Sequence, residues 1–343
     1  MSHLKILLFL AILCSCKRQT NITEHKPLKE DAYAATANSN PMEPADGIVF
    51  FSHDNGVTWE NKSDGLPGKC ATGLGAIAVA GNSLGIAIKE KGIYLFDFQK
   101  GSWVNIPTDR KIIEHNLGAL AFYKNQIYVG TQFGGVFSTS DQGNNWTNRK
   151  GGLASLTIRK LVQMSGKLFA GTDAGLYSYN DLQKKWELEY GNSTMQVNGM
   201  TEFDGSIYMA TNQGAFKASN DGKEWAQILP NHALHNISSD DKTIYAMTYN
   251  ELFSSTNKGI SWQSIQKGLP KDLYTFNVIE NDHSIFAGQW DGVYRKDHAF
   301  ENWKSYSTGL PSNLAITNMK VYNGIIVISG NERGLKKGVT LDK

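Results

Sequence analysis

The chain has 343 residues, 41% of them hydrophobic, so it can bury a substantial core in one or two domains. Its 34 basic and 32 acidic side chains leave a formal net charge of only +2, which excludes the strong positive field typical of proteins that bind nucleic acid. The 34 glycines and an aromatic content of 11% indicate a β-rich protein, because aromatic residues favour strands and glycine favours tight turns.

The first predicted element is a signal peptide, residues 1–15. One lysine precedes an apolar run at residues 6–13, which is too short to span a bilayer as a mature helix. The end of this segment, Leu-Cys-Ser-Cys at residues 13–16, resembles the bacterial lipobox. The resemblance implies cleavage before Cys16 and lipidation of its thiol, so we expect an exported protein that is lipid-anchored to the bacterial membrane on its periplasmic or cell-surface side. An ordinary signal peptide with incidental cysteines is the alternative.

Residues 16–45 are predicted to form a flexible, lipid-anchored tether. The segment is polar, contains three prolines and shows no apolar periodicity. Once the predicted signal peptide is removed, Cys70 is the only cysteine besides the anchor Cys16, so no intramolecular disulfide framework is expected. The folded part must therefore be stabilised by packing.

Seven of the eight tryptophans recur with a period of roughly 40 residues, which indicates an array of supersecondary units. The surrounding sequence repeats as well. Each copy contains an apolar strand, a short turn, a second strand, a polar turn and a strand with the tryptophan, and another alternating strand precedes it. The repeating residues are Trp59, Trp103, Trp146, Trp186, Trp225, Trp262 and Trp303.

These units predict an all-β fold, a seven-bladed β-propeller over residues 46–343. Stacking four-stranded antiparallel sheets around an axis covers both faces of each sheet and protects its edges. Six complete units follow Trp59. The seventh blade is split between residues 314–330, which supply its first strands, and residues 47–62, which supply its outer strands, and their pairing closes the ring. Residues 334–338 are an alternative third strand for this blade.

The stretch FSHDNGVTW, residues 51–59, resembles the Asp-box, Ser-x-Asp-x-Gly-x-Thr-Trp, of BNR-repeat propellers. That superfamily includes sialidases, xyloglucan hydrolases, sortilin-type receptors and photosystem assembly factors, so the resemblance implies the fold without choosing an activity. The residues that carry it are Ser52, Asp54, Gly56 and Trp59 in the first copy, Asp141, Gly143 and Trp146 in another, and Asn257, Gly259 and Trp262 in a third.

We interpret this box as a structural hairpin turn. Its aspartate can accept hydrogen bonds from turn N–H groups, its glycine can adopt a positive φ, and its tryptophan can pack across the unit. The alternative, a calcium loop at residues 54–56, lacks the other oxygen ligands and the terminal glutamate of such a loop. We therefore predict neither a metal nor a cofactor.

The face opposite the boxes is the predicted binding surface. The boxes join the third and fourth strands, so the second-to-third turns and the links between blades lie on the other face. Trp290, the tryptophan outside the repeat, lies in such a turn, and an exposed aromatic among polar groups suits a sugar or a peptide. A ring packed against its neighbouring link is the alternative. The candidate ligand-binding residues are Trp290, Asp291, Gln289, Phe133, Gln132, Asp173, Gln213, Tyr249 and Arg333.

No catalytic residue is assigned. The resemblance to sialidases implies an arginine triad, a Tyr-Glu nucleophile pair and an Arg-Ile-Pro segment, but this chain has only six arginines and no Arg-Ile-Pro. Xyloglucan hydrolases resemble two linked propellers, and one is predicted here. A carboxylate pair such as Asp173 and Asp291 is the hydrolase alternative. His232 and His235 lack further zinc ligands and are expected to be solvated.

The sequence therefore predicts a non-catalytic, lipid-anchored binding or assembly module at the cell envelope. We expect a monomer that recognises a glycan, peptide or protein partner on the face opposite the boxes and that does not bind nucleic acid. The alternative is a glycoside hydrolase, sialidase-like or xyloglucanase-like, that acts on a surface polysaccharide.

Overall fold

The computed structural model describes residues 47–219, 222–270, 274–312 and 314–332. Within these ranges the chain forms 28 strands, arranged in seven antiparallel sheets of four, and one short helix, α1 (Arg110–Ile113). The predicted seven-bladed propeller is confirmed. The predicted signal peptide, the tether and Cys16 lie outside the described residues, and so does Arg333. No helix of the described ranges has the length and apolar character needed to cross a membrane.

The strands follow one another in a simple meander. The chain begins with β1 (Val49–Ser52) and β2 (Glu60–Asn61). Blades 1 and 2 contain β3 (Thr72–Ala80), β4 (Ser83–Ile88), β5 (Gly92–Asp97), β6 (Ser102–Ile106), β7 (Leu117–Tyr123), β8 (Gln126–Thr131), β9 (Val136–Thr139) and β10 (Thr147–Asn148). Blades 3 and 4 contain β11 (Ile158–Met164), β12 (Lys167–Thr172), β13 (Gly175–Asn180), β14 (Lys185–Tyr190), β15 (Val197–Phe203), β16 (Ser206–Thr211), β17 (Gly214–Ala218) and β18 (Trp225–Pro230). Blades 5 and 6 contain β19 (Leu234–Ser239), β20 (Ile244–Thr248), β21 (Leu252–Ser255), β22 (Gln263–Ser264), β23 (Asn277–Asn281), β24 (Ser284–Gln289), β25 (Gly292–Asp297) and β26 (Lys304–Ser305). The last strands are β27 (Leu314–Tyr322) and β28 (Ile325–Glu332).

Blade 7 is shared between the two ends of the propeller. Its strand order is β2-β1-β28-β27, and β1 pairs antiparallel with β28, with Phe50 opposite Ile328. The first strands of all seven blades surround the axis, and β27 contacts β3 to complete the circle. The third position of blade 7 is thus occupied by β1. This pairing removes the open sheet edges that an incomplete ring would expose.

The position of each strand in its blade determines how far the strand is buried, and its residues match that burial. Second strands such as β8 and β24 are almost entirely buried, because each lies inside its sheet and between two neighbouring blades. The outermost strands β2, β10, β22 and β26 are two residues long and exposed. Short, polar outer strands of this kind protect a sheet edge from pairing with another chain.

The hydrophobic core is distributed over the blade junctions. Seven clusters of buried apolar side chains occur among the described residues, and each contains residues from two neighbouring blades. The cluster between blades 7 and 1, for example, joins Val49 and Val327 to Ile77 and Trp103. The ring is therefore stabilised mainly where one sheet packs on the next.

The repeat tryptophans also act across these junctions. In six of the seven, Nε1 donates a hydrogen bond to a backbone carbonyl at the end of the preceding blade, as from Trp186 to Arg149 (2.6 Å) and from Trp262 to Ile228 (3.0 Å). Trp225 is the exception, since its Nε1 is buried without a partner among the described residues. The sequence predicted that each of these rings packs within its own blade, whereas the structure shows that it also joins two neighbouring blades.

A glycine loop after the fourth strand supports the same junctions. Gly152 has φ +91°, and a Cβ at this position would lie 2.1 Å from the carbonyl oxygen of Trp186 in the next blade. Gly65 and Gly268 occupy the sister positions, also with positive φ, and a Cβ there would lie 2.1 Å and 2.4 Å from a tryptophan carbonyl oxygen. The backbone approach at these loops thus requires glycine.

The two faces of the disc carry different connections. We call the link face the one with the second-to-third turns, such as residues 132–135, and with the links between blades, such as residues 107–116. The turn face carries the first-to-second turns, such as residues 124–125, and the third-to-fourth turns, such as residues 140–146. The assignment follows from the antiparallel meander, in which first and third strands run in the same direction.

Candidate functional site

The box residues hold the third-to-fourth turns on the turn face. Asp141 Oδ1 accepts a hydrogen bond from the Asn145 backbone N–H (2.9 Å) and Oδ2 accepts one from its side chain (2.7 Å), while Gly143 N donates to Thr139 Oγ1 (2.9 Å). The bonds from Asn145 lower the pKa of Asp141 to about 2. The turns at residues 52–59 and 255–262 are held in the same way, with Asp54 and Asn257 as acceptors. These polar atoms are thus used within the turns.

The most prominent concavity of the link face surrounds the ring axis. This mouth has a volume of about 410 Å³ and is lined by side chains from blades 1 to 6. Among its described lining residues none is an aspartate or a glutamate, whereas Lys89 and Arg159 both contribute to it. Five amide side chains provide most of the remaining polar groups: Asn116, Gln132, Gln196, Asn198 and Asn212. The mouth is therefore suited to an anionic or hydrogen-bonding ligand.

Arg159 is held in place at the rim by two partners. Its Nε donates to Asp173 Oδ1 and its Nη1 donates to Asn198 Oδ1 (3.0 Å). One third of the Arg159 side chain stays exposed. Lys89 is half-buried and has no ion pair among the described residues. The mouth thus has one positioned guanidinium and one unpaired ammonium, both available to a carboxylate.

An aromatic patch adjoins the mouth on blades 5 and 6. We define this aromatic patch as His235, Tyr249, Tyr274, Phe276 and Trp290. The rings form one contiguous set, with centroid separations of 3.8 Å for His235 and Tyr274, 5.6 Å for Tyr249 and Tyr274, and 5.0 Å for Phe276 and Trp290. Tyr249 and Trp290 are 58% and 40% exposed. The patch can therefore offer flat apolar surface to a ligand in the mouth.

His235 is the buried anchor of this patch. It lies in β19, is 6% exposed, and its Nε2 donates to the carbonyl of Thr248 (3.0 Å). Burial, followed by the nearby positive charge of Lys160, lowers the pKa of His235 to about 3, so the ring is neutral at physiological pH. Its Nδ1 is then an acceptor, and it has no partner among the described residues. The expectation of a solvated histidine at this position was wrong, because residue 235 belongs to an inner strand.

The predicted turn of blade 6 is only partly at the surface. Trp290 is exposed on one side and packs on Phe276 and Tyr274 on the other. The ring is therefore partly exposed, as predicted, and partly packed against its neighbouring link, as in the alternative. Asp291 Oδ2 accepts a hydrogen bond from the Tyr294 hydroxyl (2.9 Å). Gln289 is fully buried as the last residue of β24 and donates to Thr275 Oγ1. Gln289 therefore supports the patch from below.

The other predicted residues are spread around the link face. Gln132 and Tyr249 line the mouth, and Gln132 Oε1 accepts a hydrogen bond from Asn116 (2.6 Å). Phe133 is 60% exposed beside Gln132. Gln213 is exposed, but only its neighbour Asn212 lines the mouth. The structure thus brings two of the predicted residues together in the cavity.

The carboxylates proposed for a hydrolase do not form a pair at the mouth. Asp173 is engaged by Arg159 and Asp291 by Tyr294, and neither belongs to the described lining of the cavity. A retaining or inverting glycosidase needs two carboxyl groups facing one bound sugar. The described lining of the mouth contains no such pair.

A second cavity continues along the axis toward the turn face. It has a volume of about 370 Å³ and is lined mainly by first strands, including Lys160 of β11 and Lys320 of β27. Burial among protein atoms, and then the charge of Lys320, lowers the pKa of Lys160 to about 7. Burial also lowers the pKa of Lys320. By surface area the Lys160 side chain is half-buried and the Lys320 side chain is exposed, so neither is fully removed from solvent.

Sequence reasoning missed Arg159, Lys89, Tyr274 and Phe276. Arg159 precedes a half-buried lysine on an inner strand, and its period-2 pattern signals only that it faces away from the blade core. Tyr274 and Phe276 lie in an irregular link that has no repeat counterpart. These residues meet only because the closed ring brings different blades to one axis.

Comparison with known proteins identifies one matching family. The family model described as "Photosynthesis system II assembly factor YCF48" matches residues 44–297, which is well over half of the chain. No curated protein sequence matches this chain.

Several solved structures share the fold at low sequence identity. The structure of YCF48 bound to D1 peptide is 16% identical with a TM-score of 0.54, and the match covers 79% of this chain and 83% of that one. YCF48 from Cyanidioschyzon merolae is 11% identical with a TM-score of 0.56, and the match covers 77% and 96%. The extracellular domain assigned to a hybrid two-component system of B. thetaiotaomicron is 18% identical with a TM-score of 0.56, and the match covers 66% of this chain but only 32% of that much longer one. These identities establish a shared fold and no shared ligand.

Proposed function

The chain belongs to the family of the Photosynthesis system II assembly factor YCF48, and from this premise we propose that it is a non-catalytic binding or assembly module that holds a peptide segment of a partner protein in its mouth. The observation that carries the proposal is the composition of the mouth, which is cationic and amide-rich, lacks carboxylates among its described lining residues, and adjoins the aromatic patch. The similar structure of YCF48 bound to D1 peptide supports a peptide as the class of ligand.

A carboxylate of the peptide is the group we place at the rim. Arg159 is oriented by Asp173 and Asn198 but keeps part of its surface exposed, and Lys89 has no competing ion pair among the described residues. Charge-assisted hydrogen bonds of this kind contribute about 1.5–3 kcal/mol each. Asn116, Gln132 and other mouth amides would pair with the backbone of an extended segment, since each offers both donors and an acceptor.

An apolar or aromatic side chain of the peptide is the group we place on the aromatic patch. Tyr249 and Trp290 present exposed ring surface, while Tyr274, Phe276 and His235 hold these rings from below. Rigid aromatic rings contribute contact area at a low cost in conformational entropy. A ligand that reaches both the rim and the patch would gain affinity from charge and from apolar burial together.

The test is a titration of the purified protein with a library of labelled peptides that carry a free C-terminal carboxylate, each matched by its C-terminal amide. We expect the free-acid forms to bind at least about tenfold more tightly, because about 1.4 kcal/mol corresponds to a tenfold change. Arg159→Gln should remove that difference. Arg110→Gln is the matched control, since Arg110 is a highly exposed link-face arginine outside the mouth.

The aromatic contribution is tested separately. Trp290→Ala should weaken peptide binding, and Phe300→Ala should not, because Phe300 is an equally exposed ring on the turn face. Equal binding of acids and amides that is unaffected by Arg159→Gln would refute the proposed mode. A glycan array that identifies a saccharide, with no peptide bound at millimolar concentration, would replace the peptide with a sugar.

We also propose that Cys16 anchors the propeller to the bacterial envelope. The support is the lipobox-like sequence at residues 13–16 followed by a polar segment. In a bacterial host fed an alkyne-tagged fatty acid, the protein should become labelled and partition with membranes. Cys16→Ser should abolish the labelling, whereas Cys14→Ser should leave it unchanged. Labelling that persists in the Cys16 variant would contradict this assignment.

A further inference from the structure

Three metal-ligating side chains meet on the turn face at the junction of blades 5 and 6, far from the mouth in the fold. Asp240 follows β19, Glu280 lies in β23, and His298 follows β25. One ligand atom from each lies within 4.8 Å of the other two, and His298 Nε2 is 2.9 Å from Glu280 Oε1. We propose that this triad binds a divalent first-row transition-metal ion, with Zn²⁺ as the probe, and that the ion joins the two blades.

The donor set and spacing fit such an ion. Zn²⁺ binds imidazole nitrogen and carboxylate oxygen at about 2.0–2.2 Å, so two ligands of a tetrahedral ion lie about 3.4 Å apart. The three ligand atoms lie within 4.8 Å of one another and two of them are 2.9 Å apart, so their separations bracket that spacing. Glu280 and His298 are 28% and 41% exposed, so an ion has a route from solvent. One imidazole and two carboxylates leave the fourth position to water and neutralise the charge of the ion.

The charges at this junction also favour a bound cation, independently of the spacing of the ligand atoms. At the sister junction of blades 4 and 5, Asp204 occupies the position of Asp240 and is paired with Lys258 from the neighbouring third-to-fourth turn. At the junction of blades 5 and 6 that turn supplies His298, and Glu280 adds a second carboxylate. Among the described residues, no lysine or arginine is paired with either acid. A divalent cation is the species that would compensate both charges.

The surrounding hydrogen bonds orient the aspartate as a ligand. Asp240 Oδ1 accepts from the backbone N–H groups of Lys242 (2.8 Å) and Thr243 (2.7 Å), and Oδ2 accepts from the Tyr245 hydroxyl (2.5 Å). Metal-binding carboxylates are commonly fixed by such outer partners. One lone pair of Oδ2 stays free for the ion.

The experiment is isothermal titration of the tag-free, EDTA-treated protein with Zn²⁺, combined with thermal unfolding with and without the ion. We expect one saturable site, at least tenfold weaker binding in His298→Asn and in Glu280→Gln, and a higher melting temperature with Zn²⁺ that both variants lose. His53→Asn is the matched control, since His53 also faces a glutamate, Glu60, at 3.9 Å but has Lys62 beside it.

Circular dichroism in EDTA shows whether the variants are folded, so loss of binding can be separated from loss of structure. Two results would overturn the proposal. One is the absence of both a binding heat and a melting shift at millimolar Zn²⁺. The other is unchanged affinity in the His298→Asn, Glu280→Gln double variant, which would place any bound ion elsewhere.

Discussion

Replacing Trp262 with phenylalanine should destabilise the propeller more than the same replacement of Trp225. The two residues occupy the same position in neighbouring blades, and both are half-buried. They differ in one respect. Trp262 Nε1 donates a hydrogen bond of 3.0 Å to Ile228, whereas Trp225 Nε1 is buried and has no partner among the described residues.

The magnitude follows from this difference. Both variants lose the same ring atoms, so the packing cost largely cancels between them. Trp262→Phe loses a hydrogen bond with a net contribution of about 1 kcal/mol, while Trp225→Phe removes an unsatisfied donor whose burial costs about 1–3 kcal/mol. The free energy of unfolding should therefore fall by about 2–4 kcal/mol more in the Trp262 variant. At about 2–4 °C per kcal/mol, the melting temperatures should differ by at least about 4 °C.

The assay is thermal and urea-induced unfolding, followed by circular dichroism and by the fluorescence of the remaining tryptophans. Trp186→Phe provides a third point, because this ring is 2% exposed and also donates across its junction. It should be destabilised more than the Trp225 variant. Equal destabilisation of the Trp225 and Trp262 variants, or a larger effect at Trp225, would refute the idea that the indole hydrogen bonds stabilise the ring.

Three further predictions concern single positions. The folded pKa of Asp141 is lowered from 3.8 to about 2, so the stability that this carboxylate contributes is present above about pH 4 and is lost as the pH falls toward 2. The difference in melting temperature between wild type and Asp141→Asn should therefore close over that pH range. A constant difference would contradict this prediction. Gly152→Ala should lower the melting temperature far more than Gly166→Ala. Both glycines have positive φ, but only a Cβ at residue 152 would meet a carbonyl oxygen. Similar losses in the two variants would argue against the close backbone approach at this junction. Because burial and the charge of Lys320 lower the folded pKa of Lys160 to about 7, its ammonium group costs the most stability below that pH and progressively less toward 10.5. Lys160→Met should therefore raise the melting temperature more at pH 6 than at pH 9.5. An equal gain at both pH values would show that this ammonium is fully solvated in the folded protein.

The fold was largely accessible from the sequence because its signals are local. The alternation within each strand and the glycines of the turns act over fewer than about ten residues, and the tryptophan period of roughly 40 residues shows that these local patterns recur. Even the split seventh blade could be inferred, since the counts of strands at the two ends add to one unit. The helix α1 was not predicted, and its four residues replace part of a link that carries no strong periodic pattern.

The residues of the candidate binding surface were predicted only in part. Tyr249, Gln132 and Trp290 were correctly placed on the link face, because second-to-third turns of a meander must share one face. Gln289 was placed in such a turn, but the strand before it extends one residue further and buries it. His235 was placed in a link, but it belongs to an inner strand. Strand ends are the least certain part of any sequence-based assignment, and a shift of one residue exchanges the exposed face for the buried one.

The linear sequence alone determined the class of fold, the number of blades and the pairing of the chain ends, because backbone alternation and turn chemistry are properties of neighbouring residues. The tertiary structure alone decided which side chains meet. Arg159 and Tyr274 share the mouth, and Asp240, Glu280 and His298 share a junction, although each set is separated by tens of residues or by whole strands. Such encounters depend on the radius of the ring and on the angle between blades, which result from all seven packed junctions together and are not encoded in any one repeat.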